Sequence, residues 1–120
     1  MKNKKILVLE KDEDILHVIG HILIDEGYGV KLLQTDKDFI KEIEAYQPDA
    51  ILLDIIKITP EGTELCRKLK EAKGISQIPV IVLSTAPKVE VIKEICADEV
   101  VKKPFDIDLL VDTVEKQLAA

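Results

Sequence analysis

Aromatic residues are scarce, with two Tyr, two Phe and no Trp among 120 residues. The core must therefore be aliphatic, and there is no stacking platform for single-stranded nucleic acid. Positive charge is also in deficit. Against 23 Asp and Glu stand 17 Lys and Arg, for a formal net charge of -6. That balance excludes a broad affinity for DNA backbone or anionic lipid, so neither direct nucleic-acid binding nor a membrane is expected. Long apolar runs are missing too. The N-terminal MKNKKILVLEKDED turns acidic after one short run, unlike a secretory signal, and nothing approaches membrane-spanning length. Cysteine is limited to Cys66 and Cys96, with no CxxC spacing or second ligand pair, which reads as two buried reduced thiols. These features indicate a reducing, cytoplasmic setting. A Gly-rich phosphate loop is absent, which leaves P-loop or dinucleotide binding without support.

What is present suits one domain spanning residues 1–120. Hydrophobic content of 47% and charged content of 33% are ordinary for a globular chain. No repeat, low-complexity segment or linker is visible, and with the chain ending at Ala120 no output domain is expected. Lys4 to Leu9 (KKILVL) predicts a buried first strand. Ile15, Leu16, Ile19, Ile22 and Leu23 then recur at helical spacing, with Asp12 as N-cap. Val30–Leu33 reads as a second, weaker strand, and Thr35 with Asp38 as a capping box for a helix reaching about Tyr46. Pro48 leads into a third strand, Ala50–Leu53, and a helix with Leu65, Cys66, Leu69 and Ala72 on its inner side follows Gly62. Ile78–Leu83 is the fourth strand. Pro87 suits the first turn of a fourth helix bearing Val91, Ile92 and Ile95. Glu99–Val101 is a short fifth strand, and Asp106 caps a last helix with Ile107, Leu110, Val111, Val114 and Leu118 on one face. A β-α unit repeated five times with short connections predicts a parallel sheet with helices on both sides.

In such a sheet the carboxyl ends of the strands share one edge, where ligands and chemistry collect. Four polar positions fall there: the Glu10-Lys11-Asp12 cluster, Asp54, Ser84-Thr85 and Lys103. Clustered carboxylates invite a hard cation such as Mg²⁺. A hydroxyl and an ammonium beside them suit the oxygens of a transferring phosphoryl group. Each residue also has a plainer reading, as a helix cap, a turn residue or a solvated charge; their joint placement carries the signal. His17 and His21 lie four apart on the first helix, with no third ligand nearby and no phosphotransfer motif around them.

The segments KKILVLEKDEDI, GYGV, PDAILLDIIKITPEG, IPVIVLSTA and ADEVVKKPFD also resemble the receiver domains of two-component response regulators, over nearly the whole chain. The resemblance implies a flavodoxin-like (βα)5 fold with strand order 2-1-3-4-5. It implies that Asp54 accepts a phosphoryl group from a sensor histidine kinase, that Lys103 and Ser84 contact that group, and that the Lys103-Pro104 bond is cis. Mg²⁺ would be held by Glu10, Asp54 and the Ile56 backbone carbonyl, with Asp12 as a further candidate. A downstream protein would dock on the face made by the fourth helix, fifth strand and fifth helix, Pro87 to Leu118.

Departures from the family pattern bear on each of these implications. Lys11 stands where a metal-ligating carboxylate is expected, and an ammonium there repels the ion. Val100 replaces the usual aromatic switch residue, Ile58 a proline, and Cys96 a position where Gly is common. Two readings follow: a working phosphorelay receiver with an atypical pocket, or a pseudo-receiver in which Lys11 pairs with Asp54 and the domain serves only to bind partners. A third, a small phosphoaspartyl hydrolase on the same fold, would need a second carboxylate where Ile56 stands. With Ile56 and Ala86 at these positions, at most a slow autodephosphorylation is implied.

Overall fold

The computed structural model describes residues 3–119. Its strands are β1 (Lys5–Leu9), β2 (Gly29–Leu33), β3 (Ala50–Asp54), β4 (Val80–Ser84) and β5 (Glu99–Lys102). They alternate with α1 (Glu13–Asp25), α2 (Phe39–Tyr46), α3 (Glu64–Glu71), α4 (Val91–Ile95) and α5 (Ile107–Ala119). The sheet runs β2-β1-β3-β4-β5 with every neighbouring pair parallel, as expected.

The unbroken apolar runs are explained by burial on both faces. Successive side chains of a strand point to opposite sides, so a strand covered twice needs apolar residues throughout. Ile6 and Val8 of β1 pack with Leu52, Ile81 and Leu83 beneath Leu16, Ile19 and Leu23 of α1 and Leu110 and Val114 of α5. Leu7 and Leu9 turn the other way, joining Ile51, Leu53, Val80 and Val82 under Ile43 of α2, Leu69 of α3 and Ile92 of α4. Two aliphatic layers thus clamp one sheet, and the three inner strands are fixed in register by both. No helix among the described residues is long and apolar enough to cross a membrane.

Three local expectations differ from what is found. The Thr35/Asp38 capping box does not form. Asp38 occupies the N-cap position in the left-handed region, with φ 54°, and its side chain makes no cap bond. The Phe39 amide donates to the Asp36 carbonyl instead. Pro87 does not open α4, which begins only at Val91 and spans five residues. The chain between them winds through three-residue turns, with the Val91, Ile92 and Lys93 amides donating to the carbonyls of Lys88, Val89 and Glu90. Of the apolar residues expected on that helix only Ile92 is buried, and Ile107 likewise faces solvent on α5. By contrast the caps expected at Asp12 and Asp106 are present, accepting from the amides of Ile15 and Asp108.

The cysteines correct a further expectation. Cys66 on α3 and Cys96 just after α4 are not separate thiols but a disulfide, buried in the layer beneath those helices. With the two sulfurs joined, the argument from cysteine usage to a reducing compartment loses its basis. The cross-link ties the weakly wound α4 to its neighbour. In the chain-entropy view a loop with a sequence separation of 30 restricts the unfolded chain by about 3–4 kcal/mol. A phosphine reductant should therefore lower the urea midpoint of the wild type and leave that of Cys96→Ala unmoved. An unchanged wild-type midpoint would show that the cross-link contributes no stability.

Candidate functional site

The predicted convergence occurs at the carboxyl edge of the sheet. β1 pairs with β3 so that Leu9 lies beside Leu53, which brings Glu10 and Asp54 to neighbouring strand ends. β4 and β5 pair with Ser84 beside Lys102, and the Lys103 amide donates to the Ser84 carbonyl at 2.8 Å. The Lys103-Pro104 peptide is cis. From β5 the Lys103 side chain reaches across the strand ends, and its ammonium lies 2.9 Å from Glu10 Oε1 and 2.9 Å from Asp54 Oδ1. The cluster is largely shielded, with side-chain exposures of 11% for Lys103, 1% for Glu10 and 5% for Asp54.

Shielded charges persist only when they are paired and hydrogen-bonded. Both Glu10 oxygens are engaged, Oε1 by Lys103 and Oε2 by the Asp12 amide at 3.1 Å. Burial alone would lower the Lys103 pKa. Hydrogen bonds from the ammonium to Glu10 and Asp54, with the charges of both, outweigh it and hold the pKa above its ordinary 10.5. Ser84 is fully buried, and its Oγ accepts from the Ala86 amide at 3.0 Å, fixing the turn after β4. Thr85 is exposed and lines a different cavity.

Beside Asp54 opens a cleft of about 360 Å³, lined by Lys11, Asp36, residues 53–57, Thr59, Glu61, Gly62 and Leu65. Its far wall is the loop after β3, closed by the Gly62 amide donating to Thr59 Oγ1 at 2.9 Å. A Cβ on Gly62 would run into the Lys57 carbonyl, so this loop needs glycine there. Asp54 is thus a shielded carboxylate with one side tied to an ammonium and the other facing an open cleft. That arrangement suits a nucleophile whose acquired phosphoryl oxygens would fall near Lys103.

The placement of the remaining candidates narrows the chemistry. Lys11 is exposed, and among the described residues its ammonium forms no ion pair; only its backbone carbonyl is engaged, accepting from Gln34 Nε2 at 3.3 Å. The expected pairing of Lys11 with Asp54 or Glu10 is therefore not found. Lys103 already supplies that cation, from a more buried position. Asp12 is exposed, and one of its carboxylate oxygens caps α1 by accepting from the Ile15 amide. Among the described residues no three His, Cys, Asp or Glu side chains converge as a metal site. Mg²⁺ prefers near-octahedral oxygen ligation; here both Glu10 oxygens and one Asp54 oxygen are engaged, which leaves one Asp54 oxygen and the backbone at Ile56 beside a cleft that also carries the Lys11 ammonium. The donor set does not fit a divalent cation. His17 and His21 are exposed, and His21 approaches Asp25 at 3.6 Å on the same helix.

One feature was not legible in the sequence. On the opposite side of Lys103 lies an apolar groove of about 560 Å³ between α1 and the start of α5, bordered by Ile15, Val18, Phe105 and Ile107. Val18 and Ile107 are about half exposed. The helical pattern hinted at it only through Val18, an apolar residue off the core face.

The ion-pair cluster has a definite pH signature. A raised folded pKa means that the folded chain binds the Lys103 proton more tightly than the unfolded chain does. Its contribution to stability is then whole below 10.5 and is lost as pH climbs through the higher folded value. The difference in unfolding free energy between wild type and Lys103→Met, followed from about pH 7 to about pH 11, should be flat at first and shrink at the alkaline end. A difference that vanished near neutrality would contradict the assignment.

Comparison with known proteins gives a consistent result. A profile of the response regulator receiver domain matches residues 6–115. The alkaline phosphatase synthesis transcriptional regulatory protein PhoP of Bacillus subtilis is 34% identical over 107 residues, covering 86% of this chain and 43% of that protein. The chain thus spans under half the length of that relative. Among solved structures, the receiver domain of a signal transduction histidine kinase from Syntrophus aciditrophicus superposes with a TM-score of 0.84 at 27% identity, over 97% of this chain and 90% of that one. The receiver domain of the sensor histidine kinase PA1611 from Pseudomonas aeruginosa gives 0.85 at 21% identity, over 98% and 99%; that structure holds a magnesium ion in its active-site cleft.

Proposed function

The chain belongs to the response regulator receiver domain family of two-component signalling, and from that membership we propose that it accepts a phosphoryl group on Asp54 from a sensor histidine kinase and regulates a partner by docking. The observation that carries the reading is the Lys103 ammonium shared between Asp54 and Glu10 at 2.9 Å from each. It gives the Asp54 carboxylate a counter-charge on one side while leaving the face toward the cleft free. An Asp54 oxygen attacks phosphorus as the bond from phosphorus to the donor nitrogen breaks, and the nitrogen leaves neutral. Lys103 then turns from a carboxylate partner into a partner for the phosphoryl oxygens, a charge-assisted contact of the stronger kind. The Ser84 hydroxyl, buried at the end of β4, is placed to follow the group. No step is assigned to Mg²⁺, since the donor set does not suit it.

The pseudo-receiver alternative required Lys11 to lock Asp54, and an unpaired Lys11 removes its motivation. Hydrolysis of phosphoaspartate is not favoured either, because the exposed Ile56 supplies no carboxylate to activate water. The kinase is suited to the apolar groove beside Lys103, and a downstream protein to the α4-β5-α5 face, where Lys93 pairs with Glu99 at 3.2 Å. This reading puts the domain in the cytoplasm, in contact with neither membrane nor nucleic acid.

Intact mass after incubation with a small-molecule phosphodonor tests the central claim. The wild type should gain one phosphoryl group and Asp54→Asn none; equal labelling of both would remove Asp54 from the reaction. Coupling to the α4-β5-α5 face should be weak, since Val100 is a small residue packed against the core rather than a ring free to rotate. On phosphorylation, amide shifts should concentrate in the loops around Asp54. Large shifts throughout residues 91–111 would show that Val100 is no obstacle.

A further inference from the structure

A receiver site that gathers several carboxylates must neutralise them before a phosphoryl dianion can approach. Here the charge is distributed differently. Glu10 and Asp54 contribute two negative charges and Lys103 one positive, all within direct contact. Lys11 adds a second positive charge at the cleft that Asp54 faces. Among these four residues two carboxylates are balanced by two ammonium groups without any bound cation. An acidic residue at position 11 would instead leave three carboxylates against one ammonium.

Placement supports a role for Lys11 in particular. It stands two residues beyond Leu9, and Asp54 one residue beyond Leu53, the residue Leu9 faces in the sheet. Its backbone is held by Gln34, while its ammonium has no protein partner among the described residues. The other charged residues of the cleft, Asp36, Lys57 and Glu61, come from the loops after β2 and β3 and are all exposed. They bring two negative charges and one positive to the rim, so they do not take the place of Lys11.

Building on the reading of Asp54 as the phosphoryl acceptor, we propose that Lys11 supplies the positive charge that a divalent cation would otherwise bring, so that Asp54 is phosphorylated without a metal. In the transfer from phosphoramidate, the Asp54 oxygen forms a bond to phosphorus as the phosphorus–nitrogen bond breaks. The nitrogen, already protonated in the donor, departs as ammonia, so no further proton or co-reactant is needed. Through the transfer Lys11 faces the phosphoryl oxygens from the cleft side and Lys103 from the buried side. Fixed or tethered positive charge at the place where negative charge arrives is the general means of stabilising such a transfer.

The test is phosphoramidate labelling read by intact mass, in EDTA and in Mg²⁺, on wild type, Lys11→Gln, Lys11→Arg, Lys11→Asp and Asp54→Asn. Wild type should label in EDTA at a rate that Mg²⁺ changes by less than about twofold. Lys11→Gln should lose about tenfold in EDTA, less than the roughly hundredfold or more that removing a buried charge-stabilising group costs, because this ammonium is solvent-exposed. Lys11→Arg should keep most of the metal-free rate, and Lys11→Asp should label only with Mg²⁺. A second readout needs no phosphodonor. Mg²⁺ titration should move the amide resonances of Asp54 and Ile56 in Lys11→Asp at concentrations that leave the wild type unchanged. Wild-type labelling that requires Mg²⁺, or Lys11→Gln as fast as wild type in EDTA, would overturn the role of Lys11 and leave Asp54 as acceptor. Absence of labelling in wild type under both conditions would overturn the acceptor reading, and this proposal with it.

Discussion

Two carboxylates brought together at the end of a parallel sheet repel each other, and burial makes that repulsion worse. Lys103 resolves it by binding both at once. The consequence reaches beyond the site, because Glu10, Asp54 and Lys103 lie at the carboxyl ends of three different strands. Their ion pairs join the ends of β1, β3 and β5 across the sheet, where the backbone ladder itself stops. Removing the lysine would leave two shielded negative charges without a partner, which costs more than the pair itself contributes. The same constraint shapes the site, since Lys103 occupies one side of Asp54 and leaves the other toward the cleft.

The strands were legible because burial on both faces imposes a pattern that little else imitates. Ala50-Ile51-Leu52-Leu53 has no alternation: all four are buried, with Ile51 and Leu53 in one helix-covered layer and Leu52 in the other. The edge positions Glu10, Asp54, Ser84 and Lys103 followed from topology, since parallel strands put their carboxyl ends together. What pattern alone did not resolve was which of two lysines would bridge the carboxylates. Lys11 is adjacent to Glu10 in sequence and looked the better candidate. Lys103 is 93 residues away and wins because its backbone is anchored to Ser84, so its side chain lies along the shielded strand ends. Lys11 begins the exposed turn into α1, where an ammonium keeps its hydration.

Elements whose stability comes from tertiary contacts were the hardest to read. The five-residue α4 is too short to be stable by itself, since helix initiation costs more than one turn returns. Its neighbours hold it: Ile92 in the layer beneath, and Cys96 bonded to Cys66 of α3. Nothing in the spacing of the two cysteines announces that bond. It depends on α3 and α4 lying side by side over the same face of the sheet, a relation that emerges only once the topology is assembled. The Thr35/Asp38 pattern failed for a related reason. A capping box satisfies amides of a helix that begins directly after it, and here the chain first turns through residues 36–38 before α2 starts.

The position of Lys11 also bears on how the site can be reset. A metal must be recruited from solution, whereas a lysine on an exposed turn travels with the chain and is free to approach an added negative charge and to leave again. Coulomb attraction between such an ammonium and a phosphoryl oxygen is modest at the surface and grows as water is displaced from between them. On the reading proposed above, an added phosphoryl group would draw the Lys11 ammonium toward the cleft. With Ile56 exposed beside Asp54 and no carboxylate placed to activate water, that inward movement would shield the phosphoryl group further. On that reading a lysine at position 11 would both stand in for the metal and favour a long-lived modified state, two effects of one side chain.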